Sequence, residues 1–406
     1  MTRGLWLFFN LLPSGGRNPR RPRSPRPIWG LPPVVFMAVF FLLSGCSGAT
    51  NFSGSTPALP TGQTGSVVPL GAAPGNCYIP GGSTSPCSPS LYLGTSGITA
   101  LATVAYSSSS NALFLGDANG NISYVTVPAT SSPPPPTTCL TPTGSIVSLA
   151  MIPGSSIPTG TLFYATTNGV HDINITSSCP GSGSGTSTTV TSPSVLTYNS
   201  QTSQIVGVTT TGASFTCTST PSCTTPVPLP NFQGTTVHVT AIASDPQYPV
   251  VYVTTSTNGS YAVNIYSVSG STLSFLGSYN GGELNAPEGI AVFHGPNPTQ
   301  NYCTNTTNGC NFLDVANAGD NALTQYVLTY TLSGNVPTGV SLNQYNGAYL
   351  GCELFDPAAL AAIANPALGA PAVFLGENGT SVGPCLGVGS GTSFGNNVTA
   401  YTVTGE

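Results

Sequence analysis

Six times between residues 98 and 403 the chain repeats one phrase: an apolar run, a second apolar run closing on small residues, a turn, and a third run. The phrase is clearest over residues 286–330. It opens APEGIAVF, crosses a loop bounded by Cys303 and Cys310, and continues NFLDVANAGDNALTQYVLTY. Short runs of this kind, separated by Asn, Asp and Gly, read as strands of one antiparallel sheet. The second runs fall at residues 112–116, 161–165, 204–208, 250–254, 311–315 and 372–376, at spacings of roughly 45 to 60 residues. First runs precede them at 98–104, 146–152, 194–198, 239–243, 289–293 and 358–363. Third runs follow at 122–127, 170–175, 214–218, 262–268, 323–330 and 397–403. Fourth strands are the weakest, as outer edges carrying Pro should be, with residues 226–230 and 273–279 as examples.

Six such units predict an all-β chain: a six-bladed β-propeller of four-stranded antiparallel blades. The last unit ends on a third strand, so an N-terminal strand, placed at residues 91–94, is expected to close the last blade. A helical repeat is excluded by the period of the runs. Gly 49 and Pro 38 favour turns over helices, and the one stretch after residue 50 with helical character, 357–367, contains Pro366.

The best-preserved units, with PEGIAV, GDNALTQYVLTY and the C-terminal GNNVTAYTV, resemble the NHL and YVTN families of propellers. The resemblance spans residues 98–406 and is specific in the last three units. Those families carry a basic residue after the Asn-rich turn; residues 322–325 and 398–400 have none. The resemblance therefore implies the fold and carries over no RNA or partner function.

Charge narrows the function classes. The chain has no Lys, and its six Arg (Arg3, Arg17, Arg20, Arg21, Arg23, Arg26) all precede residue 27. Beyond them stand 11 acidic groups and three His, with no permanent side-chain cation. Nucleic acid is excluded as a partner, since counterion release needs Lys or Arg. Interior Asp–Arg and Glu–Lys pairs cannot form either, so stability must come from apolar burial, sheet hydrogen bonds and cross-links.

The Arg-rich start is followed by apolar residues 28–43 and then Leu43-Ser44-Gly45-Cys46, which resembles a bacterial lipobox. Residues 1–45 read as a lipoprotein signal peptide. Pro32 and Pro33 leave only residues 34–43 uninterrupted, too short to span a bilayer. The resemblance implies acylation of Cys46 (palmitate among its lipids) and cleavage before it. A lipid contributes about 0.8 kcal/mol per buried CH₂, so multiple chains hold a protein stably on a membrane. Ser47 after the cysteine implies the outer membrane of a Gram-negative envelope. Residues 46–89 then read as a tether rich in Gly, Ser, Thr and Pro, with a small Cys77–Cys87 loop, and 90–406 as the propeller.

Of 11 cysteines, ten remain once Cys46 is set aside, an even number suited to disulfides in an oxidising compartment. Zinc spacing is lacking. Strand order pairs Cys217 with Cys223, Cys303 with Cys310 and Cys352 with Cys385, and leaves Cys139 with Cys179.

Propeller ligands sit where first strands begin, which offers His238, Glu288 and Asp356. Two carboxylates and an imidazole could hold a divalent cation or act as acid and base. They serve equally as a turn cap, a wet channel lining and an edge residue. Six-bladed gluconolactonase-like enzymes, which these units resemble in blade number, bind a metal through Glu, Asn and Asp, and Glu288 would be the matching residue. Asp314, Asp320 and Glu377 lie in or just after second strands, with no EF-hand spacing. Two classes remain. One is a membrane-anchored extracytoplasmic lipoprotein whose propeller binds or scaffolds a protein or glycan without catalysis or cofactor. The alternative is an extracytoplasmic lactonase or hydrolase with a metal in the propeller channel. The discriminator is the channel lining: three or more convergent polar groups for an enzyme, Ala, Thr and Ser for a scaffold.

Overall fold

The computed structural model describes residues 65–69, 92–93, 97–107, 110–127, 136–142, 144–176, 179, 186–187, 190–218, 222–232, 237–295, 310–319, 322–350, 357–363, 372–377 and 397–405. All of their regular structure is β. Strands β1 (Gly65–Pro69) and β2 (Tyr92–Leu93) come first. The first four-stranded sheet follows, with β3 (Ile98–Ser107), β4 (Ser110–Asp117), β5 (Ile122–Val127) and β6 (Thr137–Leu140). The second has β7 (Ile146–Pro153), β8 (Gly160–Thr166), β9 (Gly169–Ile175) and β10 (Thr186–Ser187). In the third, β11 (Pro193–Asn199), β12 (Gln204–Thr209) and β13 (Ala213–Thr218) are edged by the short β14 (Ser222–Cys223) and β15 (Val227–Pro228).

The fourth holds β16 (His238–Ser244), β17 (Val250–Thr257), β18 (Ser260–Ser269) and β19 (Thr272–Tyr279). The fifth holds β20 (Pro287–Gly295), β21 (Cys310–Asn317), β22 (Ala322–Ser333) and β23 (Val336–Leu350). In the sixth, β24 (Pro357–Ile363), β25 (Ala372–Glu377) and β26 (Asn397–Gly405) are completed by β1, with β2 also pairing β26.

The six sheets form a ring. Each first strand lies against the first strands of its two neighbours, in the order β3, β7, β11, β16, β20, β24, and β24 returns to β3. This is a β-propeller arrangement. Its core is divided accordingly: one apolar cluster fills each gap between successive sheets, including the gap between sixth and first. A second strand therefore buries both faces. Along β17, Val250 and Tyr252 pack toward the fifth sheet while Val251 and Val253 pack toward the third. That is why second strands read as continuous apolar runs rather than alternating ones.

Every first strand carries a bulge near its start, at its second position in five strands and its third in β16. The ladder to the second strand skips one residue at Thr99, Val147, Ser194, Thr240, Glu288 and Ala358. A bulge adds twist and frees one residue from the ladder. Closure uses the contacts of the other interfaces. Ile98 packs on Gly376 as Ile146 packs on Gly116; a Cβ on either glycine would come within 2.7 Å and 2.6 Å of those isoleucines. Thr103 Oγ1 also donates to the carbonyl of Ala362 across the seam, at 2.6 Å.

Residues 357–363, whose composition has some helical character, form β24 as the period of the runs placed them: flanked by inner strands on both sides, Ala-rich residues pack closely and propensity yields to burial. Two expectations need correcting. The N-terminal strand at residues 91–94 is present as β2, but the longer partner of β26 is β1, so residues 65–69 of the expected tether belong to the sheet. The fourth edge expected at 226–230 is split into β14 and β15, with Pro226 and Pro228 limiting its ladder. Among the cysteines, Cys139–Cys179 and Cys217–Cys223 are disulfides, and Cys310 is disulfide-bonded. The first ties β6 to the segment after β9, joining two sheets. Cys77, Cys87, Cys303, Cys352 and Cys385 lie outside the described residues, as do Cys46 and residues 1–45.

Candidate functional site

The six first strands enclose a cavity of about 390 Å³ on the ring axis. Equivalent positions of the strands, one turn of the pleat past the bulge, supply its aliphatic wall: Leu101, Leu149, Leu196, Ile242, Ile290 and Leu360. The next position is Ala in five strands and Thr197 in the sixth, and these small side chains let the backbones converge. Toward the C-terminal ends of the strands the rim divides. On the side of β3, β7 and β24 it is mostly apolar, with Ala105, Met151, Pro153 and Ile363 beside Thr103. On the side of β11, β16 and β20 it is polar, with Tyr198, Ser200, Ser244, Asp245 and His294.

Asp245 is fully buried and anchors this polar side. Its Oδ1 accepts the backbone N–H groups of Gln247 (2.8 Å) and Tyr248 (3.0 Å) and the Nδ2 of Asn311 (3.0 Å). Its Oδ2 accepts the hydroxyls of Tyr252 (3.2 Å) and Tyr330. Asn311 Nδ2 also donates to the Tyr330 hydroxyl at 2.9 Å, and its Oδ1 meets His294 Nδ1 at 2.8 Å. The network joins the turn after β16 to β20, β21 and β22 of the next sheet. Burial pushes the Asp245 carboxyl up, while Tyr330, the two backbone amides and Tyr252 pull it back. Burial and the neighbouring carboxylate and phenol push the hydroxyls of Tyr252 and Tyr330 well above the usual tyrosine range. Asn199 holds the equivalent position in the third sheet, and its Oδ1 accepts Thr202 N–H at 3.0 Å. Both are Asx-type turns closing first strand onto second; Asp245 has added a neighbour's side chains to that role.

Two more buried carboxylates lie away from the cavity. Asp314, on β21, accepts Gln325 Nε2 at 2.8 Å on Oδ1, while its Oδ2 is buried with no hydrogen-bond partner among the described residues. Burial raises it to about 7. Asp172, on β9, is likewise raised by burial, and its Oδ1 has no such partner. Next to it His171 stacks on Tyr164 at 5.0 Å, and burial lowers its pKa.

The residues proposed from sequence fall elsewhere. His238 opens β16 and Glu288 occupies the bulge of β20; both are exposed, at the N-terminal ends of neighbouring inner strands. Neither lines the cavity, which opens toward the other ends. Asp356 and Asp320 lie outside the described residues, and Glu377 ends β25. Among the described residues no three His, Cys, Asp or Glu gather at metal-binding distance, and no helix is long and apolar enough to cross a membrane. Sequence reasoning passed over Asp245, Asn311 and Ser244. The available signal was Asp245-Pro246-Gln247-Tyr248, an Asx-turn pattern on the end of a first run.

No family model matches the chain, and no curated protein matches it. Among solved structures it is similar to streptogramin B lyase, at 11% identity over 78% of this chain and 96% of that one, with a TM-score of 0.40. It is also similar to an auxiliary nutrient binding protein from Bacteroides thetaiotaomicron VPI-5482, at 8% identity over 85% and 77%, TM-score 0.47. A third is virginiamycin B lyase from Staphylococcus aureus, at 12% identity over 76% and 96%, TM-score 0.41. Similarity this low carries nothing about ligand or activity.

Proposed function

We propose that this chain is a lipid-anchored extracytoplasmic protein of the cell envelope, whose six sheets act as six blades of a non-catalytic binding module. Its ligand enters the axial cavity. The observation that carries this reading is the lining: an aliphatic wall with alanines behind it, and a rim whose carboxylate is already taken by five donors. An apolar concavity with a few placed polar groups is the usual form of a small-molecule site. A catalytic acid–base pair would need two titratable groups free to meet substrate, and Asp245, whose oxygens are filled by its five donors, is not available to pair with His294.

Equilibrium dialysis of the full chain in lipid nanodiscs tests this, with naphthalene as the apolar probe. The variant Ala362→Phe, which fills the rim, serves as the blank for partition into lipid. Saturable one-to-one uptake above that blank is the expected result. No uptake above it, with a native melting profile, would overturn the reading. So would hydrolysis of a lactone or ester by protein retaining a divalent cation lost in Glu288→Gln; that outcome would establish the hydrolase alternative. The anchor has its own test. Intact-mass analysis of membrane-extracted protein should show an acylated Cys46 at the N-terminus, and an unmodified Cys46 or a retained Arg-rich leader would refute it.

A further inference from the structure

We propose that the cavity-mouth end of the ring lies against the surface of the lipid bilayer, with the tip of the β22–β23 hairpin inserted among the lipids; this rests on the lipid anchor proposed above. The first observation is how charge is distributed. In chain order, Asp117 and Glu377 close second strands and Glu288 sits near the start of a first strand. Glu283, Asp320, Glu353 and Asp356 fall between second and third or between fourth and first strands. The described members of this set, Asp117, Glu283, Glu288 and Glu377, lie at the end away from the mouth. Asp172, Asp245 and Asp314 are buried, and Glu406 lies outside the described residues. By contrast, the connections from first to second and from third to fourth strands leave from the mouth end. Buried Asp245 apart, they contain no Asp, Glu, Lys or Arg. An uncharged end meets neither the desolvation cost nor the repulsion that carboxylates meet at an anionic membrane surface.

The second observation is the hairpin itself. β22 pairs with β21 as far as Leu328 and then runs on to Ser333, where the chain turns back into Val336. At about 3.3 Å per residue, its tip stands roughly 16 Å past that last pair. Residues 331–336 are exposed, with Leu332 at 43% and Val336 at 56%. These are two of the four large apolar side chains exposed among the described residues; Phe275 lies on the outer strand of the fourth sheet and Val227 at the end away from the mouth. The third observation is the entry of the chain. Gly65 pairs with Gly405, beyond Thr402, which meets Ala372 at the start of β25. The chain therefore enters β1 at the mouth end. A tether of the composition that follows Cys46, about 19 residues long, has an r.m.s. length of roughly 25 Å, which favours that end over the other. With no Lys or Arg beyond residue 26 to attract anionic lipid, the contact is apolar, and an apolar ligand reaches the cavity from the lipid side.

Trp fluorescence reads the orientation. Both Trp of the chain, Trp6 and Trp29, precede Cys46, so the mature protein carries none and one introduced Trp reports alone. Leu332→Trp, Val336→Trp and, as the control at the other end, Val227→Trp are compared as full anchored protein in phosphatidylcholine vesicles with brominated acyl chains. All three positions are exposed, and a native melting profile qualifies each variant. Bromination should quench the two hairpin variants about twofold, with blue-shifted emission, as shallow insertion of an apolar side chain allows; Val227→Trp should be unaffected. Adding phosphatidylglycerol should leave the quenching unchanged or lower it. Quenching of Val227→Trp equal to that of the hairpin variants, no quenching in either hairpin variant, or quenching that rises with phosphatidylglycerol would overturn the proposal. Wild-type protein that emits as Trp, or that does not float with the vesicles, would show instead that the anchor has failed, and the proposal falls with it.

Discussion

Asp245 and Asp314 are both fully buried in neighbouring sheets of a domain with no Lys or Arg, yet they are housed in opposite ways. Asp245 gathers two backbone amides, a side-chain amide and two phenols from two sheets. Asp314 has the single bond from Gln325, on the adjacent strand, and one oxygen with no partner among the described residues. The contrast shows two ways to bury a carboxyl without a cation. One surrounds it with donors, so that it serves as a joint between sheets. The other lets burial hold the proton on, so that the group is close to a neutral amide in character. The first should be sensitive to truncation, the second to pH.

Truncation gives the largest expected effect. Asp245→Ala leaves three N–H and two O–H groups without their acceptor, and should cost about 3–5 kcal/mol in denaturant melts, as removing one side of a buried charged network does. Asp314→Asn keeps a carbonyl for Gln325 and should cost less than about 1 kcal/mol at pH 7 or even stabilise. Equal losses from the two would break the comparison.

The pH dependence sharpens it from the other side. In the folded chain burial holds the Asp314 proton up to about 7, against an ordinary value of 3.8. A raised pKa means that the stability it contributes is complete below pH 3.8 and is lost as pH rises through 7. The full swing is at most about 4 kcal/mol. Asp172 and Asp245 are raised in the same direction. The domain should therefore melt at least as high at pH 4 as at pH 7.5, and Asp314→Asn should flatten the slope between them. A wild-type melting temperature several degrees lower at pH 4, or a slope unchanged in the variant, would count against the assignment.

The absence of cations made it legible from composition that these carboxyls have no ion-pair partner, and the period of the runs placed all six first, second and third strands. What sequence could not show is how the strands converge. Glu288 and His238 are conspicuous in sequence at the strand starts, whereas the wall formed by Leu101 and its five equivalents lies further along the strands and opens toward their ends. The bulge that carries Glu288 outward leaves no mark in hydrophobic pattern, because Thr99, Val147 and Ala358 occupy it as readily. Asp245 was equally silent. Its partners Asn311 and Tyr330 lie 66 and 85 residues away, and within its own repeat it reads as the turn residue it also is. β23, the longest strand, follows a Gly-containing turn with polar residues through its length; only the partner β22 makes it a strand.

The smallest difference to be resolved, a coupling energy, comes from within the Asp245 joint. Tyr330 both donates to Oδ2 and accepts from Asn311, so Tyr330→Phe removes two bonds and should cost about 2–3 kcal/mol. Tyr252 donates to the same oxygen at 3.2 Å and lies 3.3 Å from the Tyr330 hydroxyl. With Tyr330 still in place, Oδ2 keeps a donor, so Tyr252→Phe should cost only about 0.5–1 kcal/mol. In the double variant that oxygen loses both donors while remaining buried. Its desolvation is then uncompensated, and the loss should exceed the sum of the single losses by about 0.5–1.5 kcal/mol. Chemical denaturation of the four proteins closes this cycle. Additivity within about 0.3 kcal/mol would mean that Oδ2 does not depend on these two phenols together, and Asp245 would then differ from Asp314 only in the donors on its other oxygen.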